Sequence, residues 1–248
     1  MKVLALHGRY QCAKVFSRKL AASLRLGFNN SKDVSIETSE TGEVRFGPGE
    51  KCEGQVYIFC LDAPNIVEPK VRIKGVKLKT KAQKSKYRQK GCETRAWWEE
   101  KSQVLSDEAR SAEFQSSIDA IRTIHSEKGP FDGILGFSQG ASLAALLCTN
   151  SISSETGLLP KFSILCSGYL PSLTYQKELI QSGFLTGMKH YHLMSENDMM
   201  VIPKKSLHLS KAMGGEVLNH GNGHSLPSCA KFASIVRNPT LLEYPSDE

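Results

Sequence analysis

The sequence predicts an α/β fold: a mostly parallel central sheet with helices on both faces. Three observations predict it. Short apolar runs of strand length recur along the 248 residues, segments of helical periodicity stand between them, and no internal repeat interrupts the alternation. With 40% hydrophobic residues the chain can also bury the core such a sheet needs.

Taken in order, Val3 to Leu6 reads as a buried strand that ends in the turn His7-Gly8. Residues 13–26 follow at helical spacing, with Phe16, Leu20 and Leu24 on one face. VYIFCL at 56–61 is the next buried strand, closed by Asp62-Ala63-Pro64. From about 66 to 95 the pattern gives way to a basic insertion. Within it, VRIK and VKLK around Gly75 alternate apolar and charged residues and suit a small hairpin. Residues 106–127 read as a helix opened by Ser106-Asp107-Glu108, with Phe114, Ile118, Ile121 and Ile124 as its apolar stripe. Gly129-Pro130 breaks it. GILGF at 133–137 is a strand, and 138–149 is a strongly apolar helix that must lie against the sheet. FSILCSG at 162–168, HYHLMS at 190–195 and EVLNH at 216–220 are further strands. Pro203, a favoured first-turn residue, opens the helix between the last two, and a final helix covers about 228–237. Residues 1–240 thus read as a single unit carrying the basic insertion, and 241–248 as a tail.

Charge and cysteine usage narrow the function classes. The formal charge is +7, yet the eleven Lys/Arg between Lys70 and Arg95 stand against one acid, Glu93, so this one segment makes the chain basic. A solvated loop is the plain reading of it. A polyanion or an anionic membrane is the partner it would suit, although only Tyr87 is there to offer stacking. Seven scattered cysteines with no CxxC pair fit neither a zinc site nor a disulfide framework, and Cys60 and Cys166 sit in apolar runs as small core residues. No apolar stretch suits a leader or a spanning helix, so the expected location is the cytoplasm, with the nucleus as an alternative.

The chemistry gathers at Gly136-Phe137-Ser138-Gln139-Gly140, a G-x-S-x-G pattern between a strand and a helix. A serine on so tight a corner is lifted out as a nucleophile, and the flanking glycines are needed because side chains there would collide. Such a serine needs a base and the base an orienting acid; in strand–elbow–helix hydrolases the acid follows the serine and the histidine comes last. His224 stands in the loop Gly221-Asn222-Gly223 after the last strand and is the preferred base, with His220 as competitor. His190, His192 and His208 fall within elements and read as structural. Asp198, directly after a strand, is the preferred acid, with Glu196 as rival; Asp132 precedes the serine and reads as a turn residue. The oxyanion donors are expected to be the backbone N–H of Gln139 and one from the loop after the first strand, Arg9 before Tyr10. His7 in that loop reads as a packing or hydrogen-bonding residue. Trp97 and Trp98, with Met199, Met200 and Val201, are candidates for an acyl groove, and core packing is the equal alternative for them.

LALHGRYQ, YIFCLDAP, AWWEE, GPFDGILGFSQGASLAALLC, FSILCSGYLP, SENDMMVIP and GNGHSLP occur in order over nearly the whole chain. Together they resemble the FSH family of serine hydrolases, within the α/β-hydrolase superfamily. The resemblance implies a carboxylic-ester hydrolase of small-molecule acyl esters with Ser138, Asp198 and His224 as its triad and with no cofactor. A groove of the apolar candidates above would favour medium to long acyl chains, and the cysteine spacing offers no metal site. Relatives also include acyl-thioesterases. A non-catalytic module that binds polyanions or partners through residues 70–90 is the competing class. The basic insertion and the bulky, charged Arg9 depart from the family pattern and bear on substrate more than on mechanism.

Overall fold

The computed structural model describes residues 1–47, 54–67, 92–100, 105–171 and 173–239, with the backbone alone at 48, 72–73 and 76–77. The 241–248 tail and most of the basic insertion lie outside the described residues.

Eight strands form one sheet. In chain order they are β1 (Lys2–Leu6), β2 (Val34–Thr38), β3 (Glu43–Pro48), β4 (Val56–Leu61), β9 (Gly133–Phe137), β10 (Phe162–Cys166), β11 (Lys189–Met194) and β12 (Glu216–Asn219). Two short pairs stand apart: β5 (Asn65–Ile66) with β8 (Arg95–Ala96), and β6 (Arg72–Ile73) with β7 (Val76–Lys77). The last pair is the expected hairpin, antiparallel with Ile73 opposite Val76. The sheet order is β12-β11-β10-β9-β1-β4-β3-β2, and β3 alone runs against the rest. The helices are α1 (Ala13–Gly27), α2 (Asp107–Lys128), α3 (Gln139–Leu147), α4 (Asn150–Thr156), α5 (Thr174–Gln181), α6 (Pro203–Met213) and α7 (Ala230–Arg237).

The period-2 geometry of buried strands explains the two layers. In β1, Val3 and Ala5 join a core with Phe16, Leu20 and Leu24 of α1 and with Phe232, Ile235 and Val236 of α7. Leu4 and Leu6 point the other way, into a core with Ile118 and Ile121 of α2, Leu143 and Leu146 of α3, and Leu209 of α6. Both faces of the central strands are therefore covered, which is why their sequences are apolar throughout. The predicted elements stand within a residue or two of their expected ends. Ser106 caps α2 by accepting from the Ala109 N–H, and Pro203 is the first residue of α6. Strands β2 and β3 and helices α4 and α5 were not expected. VSIET forms the sheet edge and is at most half-buried, on one side, and NSISSET is rich in weak helix formers, so neither carries a strong local pattern.

Cys12 and Cys92 are joined as a disulfide, with Cα atoms 6.4 Å apart across 80 residues. This corrects the reading of the cysteines as carrying no disulfide. The end of the basic insertion returns against the loop after β1, where the Tyr10 N–H donates to Arg95 O at 2.8 Å and Gln11 bridges Arg95, and that return brings the two thiols together. Cys60, Cys148 and Cys166 are buried, as core residues should be.

Candidate active site

Strands β1, β9, β10, β11 and β12 all point their C-terminal ends to one edge of the sheet, and the loops leaving them build the site. Ser138 takes φ 54°, ψ −120°, a conformation that L residues adopt only when their surroundings enforce it. It is partly exposed between buried Phe137 and buried Gln139. The enforcement comes from close packing. A Cβ on Gly136 would lie 2.4 Å from Ala141 Cα, and one on Gly140 2.2 Å from Leu6 O and 2.5 Å from His7 O. The elbow thus sits directly on the end of β1, and only glycine fits on either side. Gly8 closes in from the other direction: a Cβ there would lie 3.3 Å from Ser138 Cβ.

In the loop between β1 and α1, the Arg9 amide stands unclaimed among the described residues. Gly8 N–H donates to Gln11 Oε1, Tyr10 N–H to Arg95 O and Gln11 N–H to Gly8 O. The N–H of Arg9 has no acceptor among the described residues, and neither has that of Gln139 at the start of α3. Of the two loop donors considered, Arg9 is therefore available and Tyr10 is not. The Arg9 guanidinium is held by Glu99 at 2.5 Å.

His7 fixes this loop from below. Its Nε2 accepts from the Ala63 N–H at 3.0 Å, so the proton sits on Nδ1, which donates to Gly8 O at 2.8 Å. Complete burial lowers its pKa to about 4, overriding the raising effects of the Gly8 carbonyl and Asp62. Trp97 and Trp98 have no exposed surface and line no groove, which corrects the acyl-pocket expectation for both and gives them the packing role. Trp97 Nε1–H donates to His7 O, its backbone N–H donates to Gln139 Oε1, and Gln139 Nε2 donates to Trp98 O. The tryptophans hold Gln139 directly and, through the His7 carbonyl, the start of the loop that carries Arg9.

Asp198 is 2% exposed and fully bonded. Its Oδ2 accepts from His224 Nδ1 and from Ser167 Oγ, each at 2.8 Å, and its Oδ1 from the Met200 and Val201 amides at 2.9 and 2.8 Å. Burial alone would raise this carboxyl, but those donors outweigh it and hold the pKa below the ordinary value. Orienting Nδ1 toward Asp198 leaves His224 Nε2 as the free ring nitrogen. The imidazole packs on the Phe137 ring, centroids 4.9 Å apart, beside the elbow. Among the described residues, Ser138 Oγ makes no hydrogen bond to His224, and such contacts commonly tighten only with substrate bound.

The rivals fall elsewhere. His220 is buried and accepts from the Asn222 N–H, His190 pairs with Ser163, and His192 binds Gly214 O. His208 and Glu196 are exposed, and Asp132 pairs with Lys161 at the far end of β9. Met199 and Met200 are exposed, whereas Val201 is buried beside the acid. The sequence reading missed Ser167, which steadies Asp198, and Ser195, whose hydroxyl accepts from the Gly223 N–H at 3.0 Å and anchors the histidine loop. Both stand just past strand C-terminal ends, the one signal that could have found them.

The sheet, its order and the strand–elbow–helix at its centre define an α/β-hydrolase fold. Residues 1–236 match the serine hydrolase (FSH1) family, and this chain belongs to it. The bovine esterase OVCA2 is 29% identical over 211 residues, 82% of this chain and 88% of that one. Human esterase OVCA2 is 31% identical over 144 residues, 55% of this chain and 63% of that protein; the mouse match covers 62% of the mouse protein. The ester hydrolase class read from the sequence agrees with these names. Among solved structures, maize acyl-protein thioesterase 2 superposes over 95% of this chain and 93% of that one with TM-score 0.55 at 16% identity. Esterase PE8 covers 96% of this chain and 91% of that one with TM-score 0.53 at 14% identity. At these identities the likeness is one of fold. No helix among the described residues is long and apolar enough to cross a membrane.

Proposed function

We propose that the protein hydrolyses carboxylic esters of medium to long acyl chains through an acyl-enzyme, with Ser138 as nucleophile, His224 as general base and acid, and Asp198 orienting the imidazole. The observation that carries the reading is the Asp198–His224 hydrogen bond, with the imidazole packed on Phe137 beside the strained Ser138. His224 takes the Ser138 proton as the oxygen attacks the ester carbonyl, and the Arg9 and Gln139 amides receive the oxyanion. His224 then gives that proton to the departing alkoxide, and water deacylates the enzyme by the same route. A thioester would react identically. Exposed Met199 and Met200 beside the acid favour an apolar substrate at the mouth. For residues 70–90 a weak anionic partner rests on charge alone.

Ser138→Ala is expected to lower ester turnover by roughly 10⁴-fold or more and to abolish labelling by a fluorophosphonate probe. Persistent labelling in that variant would refute the assignment. A panel of p-nitrophenyl esters and acyl-thioesters of graded length measures the acyl preference and the ester-to-thioester ratio.

A further inference from the structure

A cavity of about 340 Å³, within the range of small-molecule sites, opens between α1 and the loop that carries His224. His224 and Phe137 line it together with Phe16, Ala22 and Leu26 of α1 and Leu226. Leu26 is 55% exposed and Ala22 is open to solvent, so the groove is a channel rather than a closed void. Neither Ser138 nor Arg9 lines it.

That one-sided contact identifies which half of an ester belongs there. In acylation the Ser138 Oγ–carbonyl carbon bond forms and the bond from that carbon to the leaving oxygen breaks. The proton taken from Ser138 passes through His224 to the leaving oxygen, while the carbonyl oxygen stays with the Arg9 and Gln139 amides. The leaving oxygen must therefore face His224, and whatever it carries continues on the histidine side. Resting on the triad reading above, we propose that this channel is the leaving-group site and that it takes a bulky, apolar alcohol or thiol. Among the described residues lining it, Lys19 is the only Lys, Arg, Asp or Glu, so a neutral or anionic leaving group suits the channel and a cationic one does not.

The test separates the two halves of the substrate. One series holds the acyl group as acetate and varies the alcohol from methanol to butanol to hexanol; the other holds methanol and varies the acid from acetic to hexanoic to decanoic. In the wild-type enzyme kcat/KM should rise along the alcohol series. Ala22→Trp, an exposed helical position, fills the channel and should lower the hexyl-to-methyl ratio roughly tenfold or more, the cost of refusing one or two methylenes. The decanoic-to-acetic ratio should keep its wild-type value. An alcohol series that is flat in the wild type, or an Ala22→Trp effect that falls equally on the acyl series, would overturn the assignment. Choline acetate should be poorer than its neutral counterpart, 3,3-dimethylbutyl acetate, and Lys19→Glu should narrow that gap; equal rates in the wild type would overturn the charge preference. Failure of the triad itself would look different: Ser138→Ala would retain turnover and probe labelling in both series.

Discussion

Acid should unfold this protein early, and two buried histidines set how early. His7 is wholly buried and His192 is 2% exposed, and burial lowers the pKa of each to about 4. In the unfolded chain both titrate near 6.5, so between pH 6.5 and 4 the unfolded state binds protons that the folded state refuses. Stability is then full above pH 6.5 and falls as pH drops toward 4. Lowering each histidine from 6.5 to about 4 corresponds to about 3 kcal/mol apiece. Together that is on the order of 6 kcal/mol by pH 4, comparable with the whole stability of an ordinary domain. His190 and His220, also lowered by burial, act in the same direction. The assay is urea unfolding followed by the fluorescence of buried Trp97 and Trp98 at a series of pH values from 7.5 to 4.5. Near pH 5 the slope should approach two protons, about 3 kcal/mol per pH unit. His7→Phe should lower the plateau at pH 7.5 by about 1–3 kcal/mol, because it leaves the Ala63 amide without an acceptor, and should remove about one proton from the slope. Stability that stays constant from pH 7 to 5, or a slope indifferent to His7→Phe, would refute the burial argument.

Three other outcomes are expected. Asp198 has the opposite sign: its lowered pKa contributes stability that is present above the ordinary carboxylate range and lost as pH falls through its folded value. Asp198→Asn should therefore flatten the acid limb of the stability curve only below about pH 4. Gly140→Ala drives a methyl into the Leu6 and His7 carbonyls and should cost about 1–3 kcal/mol in chemical denaturation and suppress probe labelling; a variant that labels and melts like the wild type would contradict the close approach. Ser167→Ala removes one of four donors to Asp198 and should reduce kcat/KM roughly tenfold, the equivalent of one charge-assisted hydrogen bond, far short of the Ser138→Ala loss.

Much of this was legible in the sequence because it is local. The runs VLAL, VYIFCL and GILGF declare buried strands, Ser106 and Pro203 mark helix starts, and two glycines around one serine announce a corner too tight for side chains. Asp198 and His224 were singled out by position, each in a loop just after a strand, and the fold brings their side chains to 2.8 Å. What escaped was non-local or lacked contrast. The edge strand β2 is only half-buried on one face and β3 is a short strand beside it, and the Cys12–Cys92 bridge spans 80 residues that carry no spacing signal. Trp97 and Trp98 looked like groove residues because bulk and apolarity suit a groove and a core equally.

By itself, then, the chain determined its strand-and-helix alternation and its elbow, since each depends on neighbours a few positions apart. Tertiary structure alone decided that Arg9 and not Tyr10 keeps a free amide, that Ser167 shares the carboxylate with His224, and that a channel opens on the histidine side. Those outcomes depend on how β1, β9, β10 and β11 lie side by side in the sheet, and strand order is a property of packing that no short stretch of residues encodes.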